Sequence, residues 1–217
     1  MNKECYILGV GGSSALFIEL AEACGYKVSG LYHYNDTRTG EMDHGYRILG
    51  SFDDLYRTEL KGVNIVLSMG DMNIRMQVTE KLLLLGAVFP TLIHPTAIIS
   101  RFSNVSTEGV MIGAGCIIQS DVNISSHSVI RDMALVCHQT IIGRYCFVGP
   151  KALVGAHVTL SDLVFVGQGA IVVSGKVPLI GEGTIIGAGS IVTKTLPALV
   201  LAVGSPAKPI KQLKKLL

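Results

Sequence analysis

Three histidines in the second half of the chain are the first side chains that could move a proton. His138 lies in the segment VCHQTI, His157 follows it by 19 residues and His127 precedes it by 11. An imidazole, with an ordinary pKa of about 6.5, suits a base that takes a proton from an amine or hydroxyl as that group attacks a carbonyl. His138 is therefore the candidate general base. An ordinary surface or interface histidine is the alternative.

The same residues suggest two other chemistries. Cys137 precedes His138 and invites a Cys–His nucleophile, but adjacent residues on a strand point to opposite faces. Three histidines on one scaffold also suggest a zinc site between subunits, as in the gamma class of carbonic anhydrases, whose spacing they do not reproduce. We therefore expect no metal site. A metal-dependent hydratase is the least favoured function.

A second group of candidates lies near the amino terminus. Residues 9–14, GVGGSS, form an imperfect GxGxxG turn after an apolar run of strand length, and backbone N–H groups at such a turn face an anion such as a diphosphate. Asp36 comes near the end of the second predicted strand, where an acidic side chain commonly meets a ribose hydroxyl. Gly70 follows a later strand, at the same edge of the sheet. A plain glycine turn with a solvated aspartate is the alternative.

The first half of the chain predicts an α/β domain with a parallel sheet. The runs CYILG, KVSGLY and VNIVLSM are typical of strands, and helix-length segments separate them. We predict a helix over residues 13–24, a short helix capped by Ser51, and a helix that begins at Asp71 or Asn73 and ends at Leu85. The carboxyl ends of these strands place the glycine turn, Asp36 and Gly70 at one edge.

After Thr91 a period of six replaces the helical pattern. Aliphatic residues recur at every sixth position between 112 and 172, eleven in all, and a small or β-branched residue follows each by four, except at Lys176. The register resumes at Ile180, after a two-residue insertion around Pro178. This repeat predicts a parallel β-helix of about five or six coils, each built from three hexapeptides. A β-sandwich has no reason to repeat in this way. His138 then lies at a corner of a coil.

Composition excludes several classes of protein. Hydrophobic residues make up 49% and charged residues 16% of the 217 residues, so the chain is not disordered. No apolar run approaches the roughly 20 residues that cross a bilayer, and the amino terminus lacks the features of a signal peptide. Five scattered cysteines without a CxxC pair fit a reducing compartment, so we expect a cytoplasmic protein.

The charge is unevenly distributed. Residues 1–92 carry 8 Lys and Arg against 11 Asp and Glu, a net −3, whereas the rest carries 10 against 5, a net +5. The positive excess clusters near the end, at Lys208, Lys211, Lys214 and Lys215. It suits a small polyanion better than a nucleic-acid duplex. A solvated helix face is the alternative for the last three of these lysines.

The glycine-turn half, the linker PTLIHPTAIIS, the hexapeptide array and the closing GSPAKPIKQL together resemble the sugar acetyltransferases. These include the bacillosamine-pathway nucleotide-sugar N-acetyltransferases and the sialic-acid O-acetyltransferases, and the resemblance covers residues 6–210. It implies a Rossmann-like nucleotide-sugar-binding domain (1–92), a left-handed β-helix acyltransferase domain (93–203) and a carboxyl-terminal tail (204–217). It also implies a homotrimer with active sites between subunits, engaged in surface polysaccharide or glycan biosynthesis, without nucleic acid or a membrane span.

The resemblance also implies roles for individual residues. His138 matches the catalytic base, Gln139 would orient its ring, and we expect the backbone N–H of Ala156 to hold the developing oxyanion. The residues implied for the nucleotide sugar are Gly11, Gly12, Ser13, Asp36 and Gly70. The residues implied for acetyl-CoA are Gly187, Gly204, Ser205, Pro206, Ala207 and Lys208.

The chain departs from the family pattern at three positions. Gln139 replaces the usual Glu or Asp, Phe147 stands where a second histidine is often found, and Arg131 stands where Asn is often found. An amide can orient an imidazole but cannot stabilise an imidazolium as a carboxylate does. We expect an acetyl-CoA-dependent transferase that acetylates an amino group, less readily a hydroxyl, of a nucleotide-linked sugar by direct transfer. A nucleotide-sugar-binding protein with lost or altered transfer is the alternative.

Overall fold

The computed structural model describes residues 3–214, and the chain divides into two compact units, Met1–Leu92 and Ile93–Leu217. The first unit is built on a mixed sheet flanked by helices, and the second is built almost entirely from two-residue strands. Among the described residues, no helix is long and apolar enough to cross a membrane.

The first unit is an α/β domain with a five-stranded sheet in the order β3-β4-β2-β1-β5. Its strands are β1 (Glu4–Leu8), β2 (Lys27–His33), β3 (Met42–Asp43), β4 (Tyr46–Ser51) and β5 (Asn64–Leu67). Its helices are α1 (Ser14–Ala23), α2 (Phe52–Leu55) and α3 (Met72–Leu84). All neighbouring strands are parallel except β3, which pairs antiparallel with β4. The predicted α/β domain with a mainly parallel sheet is therefore confirmed.

The helices begin where their capping residues predict. Asp71 caps α3, because its carboxylate accepts hydrogen bonds from the backbone N–H groups of Asn73 and Ile74. Ser51 caps α2 through a reciprocal capping box with Asp54. Of the two starts predicted for α3, Asp71 is therefore the right one. The β3–β4 hairpin was not predicted.

The second unit is a parallel β-helix whose short strands form three faces. Face 1 consists of β7 (Ile98–Ile99), β10 (Ile117–Ile118), β13 (Leu135–Val136), β16 (Leu153–Val154), β19 (Ile171–Val172) and β22 (Ile191–Val192). Face 2 consists of β8 (Asn104–Val105), β11 (Asn123–Ile124), β14 (Ile141–Ile142), β17 (Thr159–Leu160) and β20 (Leu179–Ile180). Face 3 consists of β6 (Leu92–Ile93), β9 (Met111–Ile112), β12 (Val129–Ile130), β15 (Phe147–Val148), β18 (Phe165–Val166), β21 (Ile185–Ile186), β23 (Val200–Gly204) and β24 (Ala207–Gln212).

The interior of the β-helix follows the period of six. All eleven predicted aliphatic positions belong to one buried core. Hydroxyls in the small positions are tolerated because a corner carbonyl of the next coil accepts from them: Ser128 Oγ donates to Gly143 O at 2.7 Å and Thr140 Oγ1 to Gly155 O at 2.8 Å. At the irregular coil Val177 fills the core and Lys176 is exposed, which explains why the pattern fails at Lys176.

The corners of the β-helix share one backbone conformation. Every sixth residue from position 109 to 175 has a φ between +54° and +68°, and most of these residues are not glycine. Left-handed backbone of this kind costs an L residue roughly 1–2 kcal/mol, so the stacked strands must impose it. Gln139 and His157 are two of these corner residues. The turn at Gln139 leaves the preceding His138 exposed on the outside of the coil.

Within the carboxyl-terminal tail, Ala207–Gln212 form a strand instead of a helix. Lys208 and Lys211 lie on β24, which pairs antiparallel with β23, and the predicted alternative of a solvated helix face is therefore wrong for Lys211. Successive side chains of a strand point to opposite faces, so helical spacing does not describe how these lysines are arranged. Lys214 follows the end of β24, and Lys215 lies outside the described residues.

Candidate active site

The backbone of His138 is held from the coils on both sides. Its N–H donates to the Gln119 side-chain oxygen at 3.0 Å, and its carbonyl accepts from the His157 N–H at 3.2 Å. Gln119 and His157 occupy neighbouring coils, so His138 is fixed from below and above. Its imidazole points outward and is exposed in the single chain. A fixed backbone with an accessible ring is what a general base needs.

The ring of His138 lies against the ring of His157. The two centroids are 5.2 Å apart and the planes are almost perpendicular, an edge-to-face contact. Their separation of 19 residues is one coil of 18 residues plus one, so the two histidines meet at the same corner on neighbouring coils. Within residues 3–214 the ring nitrogens of His138 form no hydrogen bond, so His157 is the side chain that restricts the ring in the single chain.

Gln139 contributes its backbone to the corner. Its φ is 56°, and its N–H donates to Ser120 O at 3.0 Å. The Gln139 side chain is exposed and forms no hydrogen bond with the described part of the chain. Its expected role in orienting His138 remains a prediction.

The N–H of Ala156, expected to hold the oxyanion, already has a partner. It donates to Ser174 Oγ at 2.9 Å. Two other corners use the same bond, from the N–H of Ala114 to Asp132 at 3.1 Å and from that of Arg144 to Asp162 at 2.7 Å. An oxyanion bound at Ala156 would have to share this N–H with the Ser174 hydroxyl or displace it.

Cys137 and His127, which suggested the alternative chemistries, have surroundings of their own. Burial raises the pKa of the Cys137 thiol above its ordinary value, which disfavours the thiolate that a nucleophile requires. His127 lies at a different corner, buried and stacked on Tyr145 with centroids 5.0 Å apart. Among the described residues, no three His, Cys, Asp or Glu side chains group closely enough to hold a metal.

Two of the three residues that depart from the family pattern, Arg131 and Phe147, lie on a different face of the β-helix from the one that His138 follows. Arg131 follows β12 on face 3 and pairs with Asp132 at 2.9 Å. Phe147 lies on β15, also on face 3, and stacks on Phe165 with centroids 4.7 Å apart. His138, in contrast, follows β13 on face 1. Within one chain, these two departures therefore have structural partners of their own.

The glycine turn of the first unit offers free backbone donors. Gly9 has a φ of +104° and lets the chain turn sharply after β1. The N–H groups of Gly12 and Ser13 have no hydrogen-bond partner among residues 3–214. The Ser13 hydroxyl donates to Ser68 O at 3.0 Å instead of capping α1, so the turn presents two unused donors at the start of a helix.

Three glycines in the first unit are not required by the fold itself. A Cβ added at Gly11, Gly12 or Gly70 would meet no atom within 4 Å, and none of the three has a positive φ. Every other described glycine either has a positive φ or would bring its Cβ against a neighbour. The three follow β1 and β5, at the carboxyl edge where open α/β sheets bind ligands. Bare backbone here leaves room for another molecule.

Two aspartates flank the loop that follows β2. Asp36 lies three residues beyond the end of the strand; its side chain is exposed and forms no hydrogen bond within residues 3–214. Asp43, at the end of β3, accepts a hydrogen bond from Ser14 at the start of α1, 2.9 Å away. No sequence pattern pointed to Asp43, because the contact depends on the unpredicted β3–β4 hairpin.

The residues implied for acetyl-CoA lie together at the end of the β-helix. A Cβ on Gly187 would lie 2.7 Å from Val203 Cγ1, so packing against β23 requires this glycine. Gly204 ends β23 and donates its N–H to Ser190 Oγ at 3.1 Å. Ser205 and Pro206 form the turn, joined by a cis peptide bond, and Ala207 and Lys208 begin β24. Gly187 therefore neighbours this turn through Val203.

Comparison with known proteins places the two units in one family. Residues 4–82 match the family described as the PglD N-terminal domain. A GDP-perosamine N-acetyltransferase from Escherichia coli O157:H7 is 31% identical over 160 residues, which cover 71% of this chain and 68% of that protein. The chain belongs to the sugar acetyltransferase family. The second unit of this sugar acetyltransferase is accordingly the family's left-handed β-helix.

Solved structures agree over nearly the whole chain. A histidine-to-alanine variant of GDP-perosamine N-acetyltransferase from Caulobacter crescentus, in complex with CoA and GDP-perosamine, matches this sugar acetyltransferase with a TM-score of 0.85 and 30% identity, covering 96% of this chain and 97% of that one. The acetyltransferase domain of PglB from Neisseria gonorrhoeae, in complex with acetyl coenzyme A, matches with a TM-score of 0.85 and 25% identity, covering 97% and 100%.

Proposed function

We propose that this chain transfers the acetyl group of acetyl-CoA directly to an amino group of a nucleotide-linked sugar, with His138 as the general base. The amine nitrogen attacks the thioester carbonyl and His138 accepts the amine proton. The carbon–sulfur bond then breaks, and the proton passes from His138 to the departing sulfur, so CoA leaves as its thiol and the imidazole is neutral again. The observation that carries the proposal is the His138 corner, with its pinned backbone and exposed ring. Relatives named for N-acetylation support the choice of an amine over a hydroxyl.

The nucleotide sugar is proposed to bind at the carboxyl edge of the first unit's sheet. The free N–H groups of Gly12 and Ser13 would receive the diphosphate, and the unengaged carboxylate of Asp36 would accept a ribose hydroxyl. Gly11 and Gly70 would let the ligand approach the backbone closely. Support comes from the open space beside the three glycines, which the fold does not explain.

Replacing Gly12 with alanine tests this site. The backbone tolerates alanine and the methyl group meets no protein atom, so the melting temperature is expected to change by no more than about 2 °C. The KM for the nucleotide sugar is expected to rise about tenfold, with the KM for acetyl-CoA unchanged. Steady-state kinetics and a thermal melt measure both effects.

Gly62→Ala is the matched control for Gly12→Ala. Gly62 also has open space around it, but its φ is +75°, so alanine there is strained. The control is expected to lower the melting temperature and to leave both KM values unchanged. Equal KM values for Gly12→Ala and the wild type would remove Gly12 from the binding site.

Acetyl-CoA is proposed to bind along the later coils, beside Gly187 and the turn at residues 204–208. The exposed lysines of β24, Lys208 and Lys211, would face the phosphates of CoA. The positive excess of the second half supports this placement. Acetyl-CoA is a co-substrate here, and no resident cofactor takes part in the proposed reaction.

The working enzyme is proposed to be a homotrimer. The outward side chain of every strand on face 1 is aliphatic; these side chains are Ile98, Ile117, Leu135, Leu153, Ile171 and Ile191. Face 2 is mixed at the corresponding positions, with Asn104, Asn123 and Thr159 beside Ile141 and Leu179. A continuous aliphatic column that is exposed or half-buried in the single chain is typical of a subunit interface. His138 follows face 1 directly, which fits an active site at the edge of that interface.

The proposed location is the cytoplasm. All five cysteines are free thiols. Two of them are buried in the β-helix, and one is buried in the sheet of the first unit. Free thiols fit a reducing compartment.

His157 is expected to position the base. Removing its ring in His157→Ala takes away the contact that restricts His138, so kcat is expected to fall about tenfold with both KM values unchanged. His157→Phe keeps an aromatic ring at the same place and is expected to retain at least half of the wild-type kcat. A phenylalanine variant as slow as the alanine variant would show that His157 acts through its nitrogens and not through packing.

A binding protein without transfer is the second candidate. The observation that favours it is the His138 ring itself, which has no carboxylate partner within residues 3–214, where the family usually supplies one. Thermal shift distinguishes the candidates, since a ligand at 100 times its Kd stabilises by about 2.7 kcal/mol. Stabilisation by acetyl-CoA as well as by UDP- or GDP-linked sugars supports transfer. Stabilisation by the nucleotide sugar alone favours the binding protein. A direct assay with nucleotide-linked 4-amino sugars completes the test.

A further inference from the structure

The β3–β4 hairpin contacts the residues of the glycine turn through the carboxylate of Asp43. Asp43 Oδ2 lies 2.9 Å from Ser14 Oγ, and the same hydroxyl lies 2.7 Å from Gly11 O. The Gly11 N–H also points to Ser14 Oγ, at 3.5 Å. Ser14 is fully buried at the first position of α1. Its single hydroxyl hydrogen lies between two acceptors, the Gly11 carbonyl and the Asp43 carboxylate, so the hydroxyl links the backbone of the turn to the hairpin.

The carboxylate of Asp43 is placed among donors. His44 Nδ1 lies 3.1 Å from Oδ2, and Arg38 Nη2 lies 3.8 Å from Oδ1. Only 17% of the Asp43 side chain is exposed. Burial, the largest single influence, works against its ionisation, but the hydrogen bonds from His44 and Ser14 together with the charges of His44 and Arg38 hold the pKa of Asp43 below its ordinary value. Asp43 is therefore an anion at neutral pH, and its oxygens are already engaged.

Asp36 and Asp43 differ in what their carboxylates can do. The Asp36 side chain is exposed and unengaged within residues 3–214, so it is available to a ligand. Asp43 is committed to Ser14 and to its neighbours in the loop. Since Gly12 and Ser13 carry the free N–H groups, any movement of Gly11 or Ser14 would displace those donors too.

We propose that Asp43 is a positioning residue for the nucleotide-sugar site. Through Ser14 it holds the glycine turn in the conformation that leaves the N–H groups of Gly12 and Ser13 without a partner among residues 3–214. The inference rests on the proposed function in one respect only, that this turn binds the nucleotide part of the substrate. The link between hairpin and turn exists whatever the ligand.

The kinetic test compares Asp43→Asn with Glu41→Gln. Both changes remove one negative charge from the same region, and both remove a carboxylate that pairs with Arg38. They differ in that Asp43 is hydrogen-bonded to Ser14 and Glu41 is not. Asp43→Asn is expected to raise the KM for the nucleotide sugar about tenfold, with the KM for acetyl-CoA unchanged. Glu41→Gln is expected to stay within twofold of the wild type in both. Equal KM values for the two variants would overturn the proposal.

A double-mutant cycle tests the route through Ser14. Ser14→Ala removes the same link from the other side, so it is expected to raise the nucleotide-sugar KM to a similar extent. The double variant is then expected to be no worse than either single variant. Additive effects would show that Asp43 acts on the ligand by another route and would overturn the proposal.

Hydrogen exchange separates this proposal from the proposed function. The Ser14 amide donates to Gly11 O at 3.1 Å, so the turn has an amide to monitor without any ligand. Asp43→Asn is expected to speed exchange of the Gly11 and Ser14 amides about tenfold, and Glu41→Gln is expected to leave it unchanged. If the wild type binds neither UDP- nor GDP-linked sugars, the proposed function fails. The exchange rates of the Gly11 and Ser14 amides still test the contact between Asp43 and Ser14, because they are measured without a ligand. Unchanged exchange in Asp43→Asn would refute it.

Discussion

Replacing His138 with alanine is expected to remove nearly all acetyl transfer. General-base catalysis typically contributes 10²–10⁴-fold, and among residues 3–214 no side chain forms a hydrogen bond with the ring of His138. His157 is the ring that packs against it. The ring is exposed, so its loss creates no cavity in the β-helix core. Both KM values and the melting temperature are therefore expected to stay near those of the wild type, while kcat falls at least a hundredfold. Steady-state kinetics with a nucleotide-linked amino sugar measures this directly.

His94→Ala is the control for the loss of an imidazole. His94 also belongs to the second unit, where its Nδ1 lies 2.8 Å from Thr96 Oγ1. This variant is expected to keep wild-type turnover. A His138→Ala enzyme that retained more than a tenth of wild-type turnover would exclude His138 as the base. The proton would then have to go to another group or to water.

The interior of the β-helix was predictable because its geometry constrains almost every position. Stacked coils leave space for one aliphatic and one small side chain per hexapeptide, so Ile142 and Cys146 could be assigned to the core from spacing alone. The same pattern placed His138 at a corner, because imidazole does not fit the small positions. The handedness of the coil could not be predicted from the repeat, because a period of six fits a left-handed and a right-handed coil equally well. Only the family resemblance indicated the left-handed form.

Other features could not be predicted because they depend on contacts between coils or between distant segments. The spacing of His138 and His157 indicated that they meet, but not that Gln119 holds the His138 backbone or that Ser174 occupies the Ala156 N–H. These bonds arise from the stacking of four successive coils. The β3–β4 hairpin escaped prediction because β3 has only two residues and little apolar content. The contact between Asp43 and Ser14 depends on that hairpin, so it could not be predicted either.

The second large effect is expected from a charge on face 1. Ile171 is the outward residue of β19 and is 37% exposed in the single chain. If face 1 packs against other subunits, Ile171→Glu buries an unpaired carboxylate in each interface, which costs several kcal/mol. The trimer is expected to dissociate, and turnover is expected to fall at least a hundredfold because the active site at the interface is lost. Sedimentation velocity and the transfer assay measure the two effects.

Leu179→Glu is the matched control, since Leu179 is the outward residue of β20 on face 2 and is 41% exposed. The two variants place the same charge at equivalent strand positions and differ only in the face. Leu179→Glu is expected to remain a trimer and to keep its turnover. The core behind both residues is unchanged, so circular dichroism and the melt of the monomeric Ile171→Glu variant should still report a folded β-helix. A trimeric, active Ile171→Glu enzyme would mean that face 1 meets water in the assembled protein, and the proposal that His138 works at its edge between subunits would fail with it.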